Sequence, residues 1–151
     1  MFHEIADEAV TADRANDDEE AIEAATLLAS FEAVLAETVE ETGADRVVAE
    51  TPLDEATVER IADGDARTMT LAEGAALLAV GSDRESEPMV AEIRDHLLMG
   101  MATAVLDVDT VAASMDADLT GQEVQQVLEG RAAMTLEQLA EVMAVIESRK
   151  R

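Results

Sequence analysis

The strongest constraint on this chain is that part of it is present twice. Leu53-Asp54-Glu55-Ala56-Thr57-Val58-Glu59-Arg60-Ile61-Ala62-Asp63-Gly64 aligns with Leu119-Thr120-Gly121-Gln122-Glu123-Val124-Gln125-Gln126-Val127-Leu128-Glu129-Gly130, so that Leu, Val, Ile/Val and Gly recur 66 positions apart. After a slip of one residue, Met69-Thr70-Leu71 matches Met134-Thr135-Leu136, and Ala75, Leu78 and Val80 match Ala140, Met143 and Val145, now 65 apart. Helical periodicity would reproduce the apolar spacing. It would not reproduce the glycines or the Met-Thr-Leu triplets, so a duplication accounts for the match better than two generic hairpins do. Two copies are too few for a solenoid. The expected fold is all-α, with two repeated helical units packed as a pseudo-dimer.

The elements follow from caps and stops. Asn16-Asp17-Asp18-Glu19-Glu20 supplies a cap and anions for a helix N-terminus, followed by apolar positions Ile22, Ala25, Leu28, Phe31, Leu35 and Val39 and a stop at Gly43. A short helix is predicted over 44–50, ended by Thr51-Pro52, and another over 54–62 before Asp63-Gly64. Thr70-Leu71-Ala72-Glu73, Thr120-Gly121-Gln122-Glu123 and Thr135-Leu136-Glu137-Gln138 are capping boxes, each opening a helix. Met89, Val90, Ile93, Leu97, Leu98, Met101, Val105 and Leu106 mark a long, heavily buried helix, and Val108, Val111 and Ala112 a short one. The predicted organisation is a loosely ordered segment over 1–16, a first helical unit over 17–81, a linker over 82–88 and a second unit over 89–151.

Composition narrows the chemistry. The chain has 35 Asp+Glu against 10 Lys+Arg, a net charge of −25, so most carboxylates are solvated surface rather than acid/base pairs. The apolar residues are plentiful and periodic, which sets the chain apart from disordered acidic sequences. Cys, Trp and Tyr are absent and Phe occurs twice, leaving a core of Ala, Val, Leu, Ile and Met. Disulfides, thiolate catalysis and Cys-ligated zinc are excluded, and two distant histidines, His3 and His96, supply a metal poorly. No phosphate loop or Ser-His-Asp order occurs, so the expectation is a protein without enzymatic activity, cofactor, metal or small-molecule substrate. The N-terminus lacks a signal-peptide pattern and the run from Leu97 to Leu106 is too short to cross a bilayer, so no membrane association and a cytoplasmic location are expected. Acidic surface with a single Lys, Lys150, resembles the proteins of halophiles.

The second copy resembles the Cro/C1-type helix-turn-helix: a short helix, a turn, then Leu-Thr-x-x-x-Val-x-x-Val-x-x-Gly-Arg and a further capped helix. The resemblance covers about 40 residues in each half. It implies that 108–115 is the supporting helix and 120–129 the recognition helix, anchored by Val124 and Val127 and entering a DNA major groove. From Val111 to Val124 the second copy has two more residues than the first has from Val47 to Val58, and Asp116-Ala117-Asp118 stands where the family has a small residue and a turn glycine. The chain as a whole also resembles an acidic haloarchaeal family of unknown function, notably through Arg94-Asp95-His96-Leu97-Leu98-Met99-Gly100-Met101.

If the second unit reads double-stranded DNA, the residues to do so are Gln122, Gln125 and Gln126, which suit adenine edges, with Thr120 and Arg131 on phosphates. The plain alternative is that they are ordinary helix-surface residues. The first copy presents Asp54, Glu55, Glu59 and Asp63 instead and would repel phosphate. His96 is read as a partly buried core or interface residue, and Met99, Met101 and Met115 as core filler. Gly100 to Ala104 offers small residues for a close helix contact. A DNA-associated regulatory role is the first expectation. A protein-interaction module that keeps the fold without binding DNA is the second, its partner another protein or a second copy along the helix over 89–106.

Overall fold

The computed structural model describes Ile5, residues 23–80, Ser82, residues 84–115 and residues 119–149. Among them are eight helices and no strand: α1 (Ala24–Thr42), α2 (Ala44–Glu50), α3 (Glu55–Ala62), α4 (Leu71–Val80), α5 (Ser86–Ala104), α6 (Val108–Ser114), α7 (Gly121–Leu128) and α8 (Leu136–Arg149). The all-α expectation holds. The acidic cap over 16–20, the lead-in over 1–16 apart from Ile5, Asp116-Ala117-Asp118 and the last two residues lie outside the described residues.

Five of the eight helices open on a side-chain cap. Asp54 and Asp107 cap α3 and α6, accepting the backbone N–H of Thr57 and of Thr110 at 2.8 Å. Hydrogen bonding from Thr57, side chain first and backbone second, holds Asp54 below its ordinary 3.8. Thr110, backbone first and side chain second, does the same to Asp107. A carboxylate whose pKa is lower folded than unfolded stabilises the fold above its ordinary value and loses that contribution as the pH falls through the lowered one. Asp54→Ala with Asp107→Ala therefore lowers the thermal midpoint at neutral pH. The gap from the parent narrows in melts run below pH 3.8.

Reciprocal boxes open α4, α7 and α8. Thr70 and Glu73, Thr120 and Glu123, and Thr135 and Gln138 each exchange two bonds of 2.9–3.2 Å between side chain and backbone. Glycines with positive φ follow α1, α3 and α7, at Gly43, Gly64 and Gly130. The region predicted as a linker is shorter than expected. The helix of the second half starts at Ser86, and Pro88 sits in its first turn, where a missing N–H costs nothing.

The core runs through all eight helices. Strictly spaced by four, Leu27, Phe31, Leu35 and Val39 are the buried stripe of α1. Leu27 takes the place that the sequence assigned to Ala25 and Leu28, since Ala25 is exposed and Leu28 only half-buried. α8 is the most enclosed element, with Leu136, Leu139, Ala140, Val142, Met143, Val145 and Ile146 all buried. α1 packs on α8 and α3, α4 on α5, α5 on α8, and α6 on α7.

Two loops meet in the middle. The Leu71 N–H donates to the Met134 carbonyl at 2.7 Å and the Leu136 N–H to the Met69 carbonyl at 2.8 Å, an antiparallel bridge centred on Thr70 and Thr135. Two further ties set helix ends. Glu32 accepts the Ala66 N–H at 2.8 Å, and the Arg46 guanidinium donates to the Val80 carbonyl at 3.1 Å, a cation at the C-terminus of α4.

Candidate functional site

The residues proposed for DNA contact depend on how α7 is seated. Val124, Val127 and Leu128 are buried, which turns Gln122, Gln125, Gln126 and Glu129 to the opposite side. Gln122 and Gln125 are exposed there and Gln126 is half-buried. Thr120 is also exposed, but its hydroxyl is engaged as the N-cap, accepting from Glu123. The connection from α6 is longer than that from α2 to α3, which places the extra two residues in the turn rather than in either helix.

The electrostatics of this face are set by carboxylates. Gln125 donates to Glu129 at 3.0 Å, and Arg131, 76% exposed, pairs with the other oxygen of Glu129 at 3.3 Å. Two of the five candidates thus converge on one acid. At the start of α7 the Asp109 side chain occupies the space a Cβ on Gly121 would need. A carboxylate there complements the positive end of the helix dipole, the place where a phosphate would otherwise be favoured. Between Arg94 and Arg131 the chain contains no Lys or Arg.

Arg94 has a different task from phosphate contact. Its guanidinium lies 2.7 Å from where a Gly130 Cβ would stand, over a backbone with φ +79°, beyond the C-terminal end of α7. That position suits a cation and ties α5 to α7. Gly130→Ala costs about 1–2 kcal/mol in left-handed strain and in addition unseats Arg94. Gly64→Ala, at φ +91° with open space around it, incurs the strain alone. Denaturant titration of the two variants separates the terms, with Gly130→Ala the more damaging.

The other conspicuous surface lies on the long helix that the sequence offered as an interface, but on residues that it assigned to the core. Met101 and Met115 are core filler as expected, but Met99 is 72% exposed. Leu98 and Val105, both assigned to the buried side of the long helix, are 50% and 90% exposed. These three are the exposed large hydrophobic residues among the described ones, and all lie along the last two turns of α5 and its end. Ala102 and Thr103 between them are exposed too, while Gly100 is buried and His96 half-buried. α5 is more strongly apolar than its buried face requires.

Val105 is unusual twice over. Its φ of 56° and ψ of 52° place it in the left-handed region, and no other described non-glycine residue has positive φ. The Val105 and Leu106 N–H groups bond the carbonyls of Ala102 and Met101, closing α5 with the motif that normally carries glycine at this position. A β-branched residue there is strained.

Residues 27–149 match a family whose only description is that its function is unknown, DUF5791. The chain belongs to DUF5791. The match spans all eight helices except the first turn of α1, so the whole helical assembly is the family's unit. Neither the curated proteins nor the solved structures contain a match to the chain. Among the described residues of this DUF5791 chain, no single helix is long and apolar enough to cross a membrane, and no three acidic or histidine side chains are grouped to hold a metal ion.

Proposed function

We infer that this DUF5791 chain is a non-enzymatic interaction module, built on two helix-turn-helix-type units, that works by binding a protein through the exposed end of α5. The observation carrying this reading is Val105, strained and 90% exposed beside Leu98 and Met99. Backbone strain and exposed apolar surface both cost stability in the isolated chain, and an outlier of this kind points to function. The paired-unit part of the reading is supported by the bridge between Met69–Leu71 and Met134–Leu136, which are matching positions of the repeat. The reciprocal packing of α1 on α8 and of α5 on α4 supports it as well. A cytoplasm rich in salt would suit the charge of −25.

The second reading, DNA recognition by α7, is favoured by exposed Gln122 and Gln125 on a helix that follows α6 in helix-turn-helix order. It is weighed down by Asp109, Glu123 and Glu129 on or beside the same face, because affinity for DNA begins with cations on phosphates. The deciding experiment is selection from fragmented genomic DNA in molar potassium chloride, using protein shown by circular dichroism to be folded. The interaction reading expects no recurring motif. Enrichment of a short motif, lost in the Gln122→Ala, Gln125→Ala, Gln126→Ala triple variant, reverses the order of the two readings.

A further inference from the structure

The geometry points to a basic, amphipathic helical segment of another protein as the occupant of the α5 end. This inference rests on the interaction reading above and adds the chemistry of the partner. Leu98, Ala102 and Val105 follow one another at helical spacing, with Met99 beside them, and present on the order of a few hundred Å2 of apolar surface. A groove or ridge of that length accommodates two or three turns of an amphipathic helix, whose anchors recur at i, i+3 or i+4, and i+7.

The rim chooses the charge of the partner. Asp95 and Glu92 are exposed on the preceding turns of α5, and Asp107 is exposed just after it, where α6 leaves at 94° to α5. Near this end Arg84 is paired with Glu92, which leaves Asp95 as the acid of the preceding turns, while Arg94 lies against Gly130 and Arg131 is paired with Glu129. A second copy of the chain would bring the same acidic rim against itself. Arg or Lys flanking an apolar stripe meets Asp95 and Asp107 with opposite charge, which sets orientation and excludes acidic competitors. Pairs formed at the edge of a dry contact are screened less than exposed ones, so the preference survives in concentrated salt.

The probes are three synthetic peptides of about 16 residues: a helix with a leucine stripe flanked by Arg, the same stripe flanked by Glu, and a scrambled sequence with the Arg peptide's composition. Binding is followed by fluorescence anisotropy to the full chain in potassium chloride, alongside light scattering for oligomeric state. The Arg-flanked helix is expected to bind saturably, at least about tenfold more tightly than either control. Leu98→Ser with Met99→Ser, which leaves every charge in place, is expected to lose at least about tenfold in affinity with an unchanged circular dichroism spectrum. Val105→Gly is expected to weaken binding several-fold while raising the thermal midpoint, a combination that damage to the fold cannot produce.

Equal binding of the Arg and scrambled peptides, or binding that ignores Leu98→Ser with Met99→Ser, would mean non-specific attraction to an acidic protein and would overturn the inference. A dimer dissolved by that double variant, with no peptide bound, identifies a second copy as the occupant; it overturns the basic partner and leaves the interaction reading standing. A monomer that binds no peptide overturns the basic partner whatever Val105→Gly does to stability, and if that variant is neither more nor less stable the interaction reading falls with it.

Discussion

Phe31→Ala lowers the stability of the chain by about 3–5 kcal/mol, the range for deleting a large buried aromatic side chain. Phe31 is 0% exposed, and it stands among the largest fully buried side chains in a core otherwise made of aliphatic and Met residues. Its helix, α1, packs on α8, α3 and α4. A cavity at this point therefore loosens elements from both ends of the chain at once. Small side chains have little reach to refill it, and the methionines that could adapt, such as Met143 and Met89, are already buried in place. Against the usual total of about 5–15 kcal/mol the loss is a large fraction. Phe31→Leu, which keeps most of the volume, loses half as much or less in the same denaturant titration. Similar midpoints for the two variants would show that the site collapses freely and that Phe31 is not a keystone of the packing.

Local chemistry made most of the helices legible. Where a threonine is followed three residues later by Glu or Gln, as at Thr70, Thr120 and Thr135, the reciprocal bonds are present as expected. Asp54 and Asp107 cap their helices, and the glycines after α1, α3 and α7 carry the positive φ that ends them. What the sequence could not show was orientation. In α5 apolar residues cover more than the face the core needs, so periodicity marks a buried helix without deciding which of Leu97 and Leu98 turns inward. Leu97 does, at 1% exposure, and Leu98 does not. The helix also ends earlier than its apolar run suggests, because the position that usually signals a stop with glycine holds Val105. Asp107, a cap for α6, was the available clue that Val105 lies in the connection. In α7 the anchors Val124 and Val127 are buried, which leaves Gln122 and Gln125 exposed, but the carboxylates beside them were legible only in part. Asp109 is 12 positions from Gly121 in sequence and comes against it only through the packing of α6 on α7.

Leu136→Pro destabilises the chain by more than Leu136→Ala, and the difference measures the bridge between the two loops. Leu136 is the first residue of α8, a position where proline is ordinarily harmless because the N–H has no partner within the helix. Here that N–H has a partner, the Met69 carbonyl at 2.8 Å, with the Leu71 N–H returning to Met134 at 2.7 Å. Both substitutions remove a fully buried leucine side chain, at about 2–5 kcal/mol. Proline alone also deletes the donor and leaves the carbonyl of buried Met69 without it, adding about 1–3 kcal/mol. Glu55→Pro is the control: Glu55 is the first residue of α3, exposed, and follows an extended Asp54 as a residue before proline should. It is expected to be neutral within about 0.5 kcal/mol. Denaturant titration of the three variants ranks the terms. Equal losses for Leu136→Pro and Leu136→Ala would mean that the two loops meet only because α1 rests on α8 and α4 on α5, and that their hydrogen bonds hold nothing in place. A gap of the expected size makes the pairing of Met69–Leu71 with Met134–Leu136 a cause of the arrangement, since these short matching segments then contribute through their backbones as well as through the side chains they bury.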